Sequence, residues 1–349
     1  MAKAPNSVIG LDIGRYSMKS VLLQKKGGNR FVLTHYASQL VTDPLDSAEA
    51  LGKQVKHLLK EMGGTAKACA VGISSPDALI RIIEQPVTPP EILRDALRLN
   101  GMTLLNQDCR EFVLDCDEIP SAVKETPLES DMVGRKRYLV GGLPRTQVNM
   151  LGVGFEQTGH SLTAMQLAPI CSFNAFEFAH EDVFNNQAFF LVDIGHTSST
   201  VMVGMKRELV LVRNIDFGGK MLLETLTSLS GEGREAILQA LDQEDEVMVE
   251  FARVGLNALV REIQSSIGFL EHRHEETIQT IYASGGPAKC PAILKVLAEE
   301  VHLPCQAWSA VAKCESALPP NRTATLQRDI VDLNVACGAA AEILKAKAN

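Results

Sequence analysis

Apolar and polar positions alternate in two blocks of the chain and recur at helical spacing between them. Val8–Ile13, Met18–Gln24 and Arg30–Gln39 are mostly apolar runs separated by polar breaks, with a turn at Lys25-Lys26-Gly27-Gly28-Asn29, so the first forty or so residues predict a three-stranded meander. Asp46 to Met62 places Leu51, Val55, Leu58, Leu59 and Met62 on one face and closes on Gly63-Gly64, which predicts a helix; a strand is predicted from Ala68 to Ile73. A second meander begins at Ala188, with strands at Phe189–Ile194, Ser199–Met205 and Glu208–Asp216 and a tight turn at Lys206-Arg207. Helices are expected to dominate from Lys220 to His274. A buried strand at Ile278–Ala283, a helix at Pro291–Val301 and an Ala-rich helix at Val331–Lys345 then close the chain.

Between the two blocks the character changes. Pro86, Pro89 and Pro90 open a stretch from Arg81 to His160 in which Glu91–Leu99 reads as helix, Phe112–Cys116 and Arg137–Gly141 read as strands, and Lys124–Arg135 reads as a polar connection. This predicts a small α+β insert in an α/β protein.

Composition narrows the function classes. The 349 residues suffice for two domains, and 46% hydrophobic with 22% charged residues is the balance of a soluble globular chain. A net charge of −8, with Lys and Arg scattered, argues against a nucleic-acid partner. The eight cysteines contain no CxxC pair and read as reduced core thiols of a cytoplasmic protein. The N-terminus lacks a signal-peptide run, and the longest uncharged stretch, Gln157–Phe176, is too polar to span a bilayer, so membrane association is expected only through a partner.

The candidate chemistry lies in a repeat. Leu11-Asp-Ile-Gly-Arg-Tyr-Ser-Met-Lys19 and Val192-Asp-Ile-Gly-His-Thr-Ser-Ser-Thr200 share Asp-Ile-Gly and a Ser three residues on, each between apolar strands, which marks a duplicated domain. Gly14 and Gly195 let the backbone turn tightly so that successive N–H groups can cradle phosphate oxygens. Asp12 and Asp193 supply hard oxygen ligands for Mg²⁺. Lys19 has the parity of Ser17 and can offer a point charge; its counterpart is Thr200. Downstream, a strand runs into Ser284-Gly285-Gly286, whose bare glycines suit the approach of a nucleoside, and Asp216-Phe-Gly218-Gly219-Lys220 enters a helix whose free N–H groups favour an anion or polar ligand. No GxxxxGK[ST] or GxGxxG motif is present, which removes P-loop and Rossmann readings.

In this order, Asp12-Ile-Gly14, Asp193-Ile-Gly195, Phe217-Gly-Gly219, Ser284-Gly-Gly286 and the Ala/Gly helix at Ala336–Ala341 resemble the actin, Hsp70 and sugar-kinase superfamily. Within it the chain is most similar to the PilM family, FtsA-like actin homologues of type IV pilus assembly. The resemblance implies a duplicated, RNase H-like actin fold: a first half at 1–80 completed by 161–187 and 330–349, a 1C-like insert at 81–160, and a second half at 188–329. It implies ATP and Mg²⁺ as cofactors. Asp12, Gly14, Arg15, Ser17 and Lys19, with Asp193, Gly195, Thr197 and Ser198, would hold phosphates and, through the two aspartates, the metal. Gly218, Gly219, Lys220, Ser266, Ser284, Gly285, Gly286 and Lys289 would frame the nucleoside. It also implies a platform peripheral to the inner membrane, docking the cytoplasmic N-terminal tail of a single-span, PilN-like partner beside the insert, with self-association open.

Two departures bear on activity. Relatives usually carry small hydroxyl residues where Arg15 stands. They also carry acidic residues in the segment that here reads Met165-Gln166-Leu167-Ala168-Pro169, leaving Gln166 as the polar group to position an attacking water. Hydrolysis is therefore expected to be weak or absent. The alternatives are a nucleotide-free scaffold of the same fold and a small-molecule kinase of the same superfamily.

Overall fold

The computed structural model describes residues 5–27, 30–120, 134–274 and 276–345. Most of the expected polar connection at 124–135 lies outside them. The chain divides into two units. The first comprises Met1–Cys171, Arg207–Leu209 and Val335–Asn349, and the second comprises Ser172–Lys206 and Val210–Asn334.

In the first unit, β1 (Ser7–Ile13), β2 (Ser17–Lys25) and β3 (Phe31–Leu40) form the expected antiparallel meander. Helix α1 (Ala48–Met62) follows, capped by the hydroxyl of Ser47 on the Ala50 amide, and leads through Gly63 to β4 (Ala68–Ile73), which pairs parallel with β1. The insert contains β5 (Leu79–Pro86), α2 (Pro90–Leu105), β6 (Phe112–Glu118) and β7 (Arg135–Pro144) as a sheet of order β5-β7-β6. Leu93, Leu97 and Leu105 of α2 cover this sheet against Tyr138 and Val140. The helix is longer than the sequence pattern predicts and leaves helical geometry at Asn100. Next comes α3 (Arg145–Glu156), which meets α1 where a Cβ on Gly52 would sit 2.6 Å from the Gly154 carbonyl oxygen. Strand β8 (Ser161–Leu167) then extends the main sheet, giving the order β3-β2-β1-β4-β8.

Helix α4 (Ala168–Ala179) carries the chain into the second unit, followed by α5 (Glu181–Asn186). There β9 (Ala188–Ile194), β10 (Ser199–Met205) and β11 (Glu208–Ile215) repeat the meander. The Lys206-Arg207 turn has positive φ at both residues, as a twisted hairpin requires. Helices α6 (Gly219–Ser230), α7 (Arg234–Asp242) and the long α8 (Glu246–His274) come next. They are followed by β12 (Ile281–Ser284), α9 (Pro291–Val301), β13 (Cys305–Ala307) and α10 (Pro320–Asp329). The sheet order is β11-β10-β9-β12-β13, the same succession as in the first unit: a meander, then two parallel strands beyond its first member. The repeat read from a few residues therefore extends to the whole sheet. Strand β12 starts later than Ile278, which is buried but outside the ladder.

The closing helix α11 (Asn334–Lys345) begins after a 3₁₀ turn at Ile330–Leu333 and belongs, from Val335 on, to the first unit. It lies against β1 so closely that a Cβ on Gly10 would fall 1.8 Å from the Ala336 carbonyl oxygen. Small residues on both sides make that approach possible: Gly10, Ala70 and Ala164 share one rung of the sheet, and α11 presents Ala336 and Ala340. All eight cysteines are unpaired thiols, five of them buried.

Candidate functional site

The first turn is built by β1 and β2. Asp12 is the next-to-last residue of β1 and is 5% exposed; the antiparallel register places it opposite Lys19, whose Nζ reaches Asp12 Oδ2 at 3.0 Å. The cation expected to serve phosphates is thus also the counter-ion of the carboxylate expected to serve Mg²⁺. Gly14 is required by close approach: a Cβ there would sit 2.7 Å from the Ser17 carbonyl oxygen. Arg15 stands exposed on the bend. On the other side of β1, Asp12 lies level with Gly72 of β4 and Gln166 of β8, so the aspartate and the glutamine share one rung and one sheet face with no side chain between them. Cys171 fills that face, its thiol donating to Gln166 Oε1 at 3.2 Å. Burial foremost, then the charge of Asp12, pushes the Cys171 thiol far above its ordinary pKa, so it remains protonated.

The second turn repeats this backbone with other chemistry. A Cβ on Gly195 would sit 2.6 Å from the Ser198 carbonyl oxygen, matching Gly14. Asp193 lies opposite Thr200, an uncharged residue, and level with Ser284 of β12, whose Oγ donates to Asp193 Oδ1 at 2.8 Å. One aspartate of the duplicated pair is therefore met by an ammonium group from the antiparallel strand, the other by a hydroxyl from the parallel strand.

The three glycine motifs of the second unit meet here. Gly285, at φ +88, presses on the end of β9, where a Cβ would be 2.2 Å from the Ile194 carbonyl oxygen. Gly218 abuts the second bend, where a Cβ would be 2.5 Å from the His196 carbonyl oxygen. A Cβ on Gly219 would meet the Pro287 ring at 3.1 Å, while nothing lies within 4 Å of the Cβ position of Gly286. The Ser199 hydroxyl donates to the Phe217 carbonyl at 2.7 Å and ties the motifs together. Thr197 and Ser198 lie exposed on this bend. The arrangement puts a carboxylate, hydroxyls and bare backbone at one strand end, which suits a polyphosphate or a nucleoside face.

Several expected contributors are placed otherwise. The first amides of α6 are not free: Gly219 N–H donates to the Gly195 carbonyl and Lys220 N–H to the His196 carbonyl, both at 2.8 Å, so they brace the turn. The Lys220 side chain runs along α6 toward Glu224 at 3.8 Å. Ser266 is 0% exposed on α8, its hydroxyl donating to the Glu262 carbonyl one turn back, and has no surface to offer a nucleoside. Lys289 is engaged by Asp329 and Asp332. Three contributors were not anticipated: Gly72, Cys171 and His196. Burial first, then the Lys220 and Arg234 charges, holds the His196 pKa below its ordinary value, which favours the neutral ring.

The first unit also carries an open groove of about 570 Å³ between the start of α1, Asp77 and the face of α3 that bears Met150 and Val153. Asp46 and Ser47 line it on one side and Pro144 and Gln147 on the other. No helix among the described residues is long and apolar enough to cross a membrane.

Residues 171–343, just under half of the chain, match the model of the family described as Type IV pilus assembly protein PilM. The fold is shared with a solved chain of the "PilM-PilN type IV pilus biogenesis complex" at 20% identity and a TM-score of 0.79, over 98% of this chain and 100% of that one. The ethanolamine utilization protein EutJ from Carboxydothermus hydrogenoformans matches at 12% identity and a TM-score of 0.56, over 98% and 90% of the two chains. A diol dehydratase-reactivating factor in nucleotide-free form matches at 8% and 0.54, over 96% and 99%. At such identities the structural likeness is one of fold. No curated protein matches the sequence. The actin-like α/β fold and the resemblance to PilM, both read from the sequence, are borne out.

Proposed function

We propose that this chain, PilM-like in its matched segment and actin-like in fold, is an ATP-binding assembly platform of a type IV pilus or type II secretion-like inner-membrane complex. In this reading it works on the cytoplasmic side and docks the tail of a single-span membrane partner. The observation that carries the nucleotide part is the meeting of Asp193-Ile-Gly195, Phe217-Gly-Gly219 and Ser284-Gly-Gly286 at the end of β9. Glycines packed this tightly against neighbouring backbone hold a surface that side chains would otherwise cover. Mg²⁺ accompanying the nucleotide would find a hard oxygen donor in Asp193, which the Ser284 hydroxyl orients, whereas the charge of Asp12 is already matched by Lys19. Turnover is slow in this reading, because Gln166 carries no charge to activate water and its oxygen accepts from a thiol.

For the partner, the reading rests on the family match and on the groove beside α1 and α3, whose volume of about 570 Å³ fits a few side chains of an extended peptide. ATP then acts as an effector by binding one conformational state better than another.

Calorimetry with Mg-ATP tests the first part. Wild type should bind, and Asp193→Ala should weaken binding at least about tenfold, roughly 1.4 kcal/mol. Wild type that takes up no ATP favours the nucleotide-free scaffold, to which the Lys19–Asp12 and Cys171–Gln166 pairs lend weight. For the second part, anisotropy of a labelled partner-tail peptide should show binding that Val153→Arg abolishes; Val153 is 50% exposed, so the fold should tolerate the change.

A further inference from the structure

A second groove lies on the second unit, where the end of α6, the outer face of α7 and the start of α8 leave an open trough of about 500 Å³. Its walls are two rows at helical spacing, Ala236 and Ala240 on α7 and Val247 and Phe251 on α8, with Leu229 at one end and the buried Met248 beneath. Leu229 is 44% and Val247 60% exposed, while Ala240 and Phe251 are half-buried against the core, so the trough's apolar floor is anchored and its edges are uncovered. Two i, i+4 rows flanking a trough, one of them made of alanines, form the shape into which a third helix packs.

The rim carries one sign of charge. From Ser230 to Phe251 the chain has seven carboxylates and one base, Arg234. Some have local employment: Asp245 accepts the Met248 amide and caps α8, Glu244 pairs with Lys295, and Glu250 pairs with Arg253. Glu232, Glu235 and Glu246 are exposed and make no ion pair among the described residues. Glu232 lines the trough, while Glu235 and Glu246 are sequence neighbours of its lining residues Ala236 and Val247.

We propose that this trough docks a basic amphipathic helix of another protein, its apolar face on the two rows and its Lys or Arg residues against Glu232, Glu235 and Glu246. The acidic rim selects such a helix over a neutral or acidic one and speeds its encounter. The site is separate from the groove beside α1 and α3 and does not rest on nucleotide binding.

The probe is a labelled amphipathic peptide of Leu and Lys, about 18 residues long, enough for a marginal helix. It is titrated into the full chain at about 0.15 M salt and followed by anisotropy. Controls replace every Lys by Glu, or every Leu by Ser. The Leu/Lys peptide should bind best, and Val247→Asp should weaken it about tenfold, the worth of one buried aliphatic side chain. Because that substitution adds a carboxylate, simple attraction of a cation to an acidic surface would leave binding unchanged or tighter, and either outcome overturns the proposal. Equal binding of either control peptide overturns it as well. So does sedimentation showing that the chain self-associates and that Val247→Asp makes it monomeric, since the occupant is then a second copy. If Val247→Asp disturbs the urea midpoint, Ala236→Glu, at an exposed helix position and likewise adding a carboxylate, gives the same reading.

Discussion

Gly285→Ala probes the packing that holds the second turn in place. The substitution forces an L residue to φ +88 and ψ 174, a region essentially confined to glycine, which costs about 1–3 kcal/mol. Its Cβ would also fall 2.2 Å from the carbonyl oxygen and 2.7 Å from the carbonyl carbon of Ile194, main-chain atoms of a central strand that cannot rotate aside. Overpacking of this kind adds about 1–3 kcal/mol, for a total of about 2–6 kcal/mol. Gly286→Ala is the matched control, since nothing lies within 4 Å of its Cβ position and its φ is ordinary. The following Pro287 disfavours a substituted residue there by about 1 kcal/mol or less. Trp308 is the single tryptophan, is 4% exposed and lies in the second unit, so its fluorescence in urea follows the unit under test. With a urea dependence of about 2 kcal/mol per molar, the midpoint should drop by about 1–3 M for Gly285→Ala and by about 0.5 M or less for Gly286→Ala. Equal shifts, or a Gly285→Ala shift as small as the control's, would refute the claim that this glycine is set by contact with β9.

Two further outcomes follow from the ion pair and the buried rings. Lys19→Met strands the buried Asp12 carboxylate; allowing for a Lys19 side chain that is 16% exposed, the cost should be about 2–3 kcal/mol by circular dichroism in urea. Adding Asp12→Asn should restore most of it, and a double variant no better than the single one contradicts the pairing. His180 stacks on Phe176 at 4.8 Å and beside Tyr282 at 4.9 Å; burial first, then the Lys313 charge, lowers its pKa from 6.5. The unfolded chain therefore binds the proton more readily, so this contribution is complete above about pH 6.5 and is lost as the pH falls from there through the folded value. The Trp308 midpoint should decline with acidity over that window and decline less in His180→Gln; parallel pH profiles would assign the loss elsewhere, His196 having the same sign.

What the sequence revealed depended on contrast between faces. β4, β10 and α9 end where predicted, because turn residues, glycine or proline mark their ends. Helix α4 escaped notice because it is apolar nearly all round, so the uncharged run from Gln157 to Phe176 had no polar face to set a 3.6 period. Helix α10 escaped for the opposite reason, with Leu326 its one buried residue. At the site, the duplicated turns were visible as repeated letters. The pairing of Lys19 with Asp12 was also implicit in a short bend between antiparallel strands, a register argument that parity alone did not reach. The bracing of the second bend by Gly219 and Lys220, the burial of Ser266 and the thiol on Gln166 join residues remote in sequence or hidden within a helix. Local patterns do not record such contacts.

The lodging of α11 against Gly10 has a consequence for biosynthesis. β1 leaves the ribosome long before α11, the helix that covers its rung of small residues and the last of the described elements. At about 5–20 residues per second, the nascent first sheet waits many seconds with that strip bare. The second unit, nearly all of it contiguous from Ser172 to Asn334, has its residues available earlier. Its completion can thus precede that of the portion synthesised before it, and the uncovered strip is where a chaperone would find purchase.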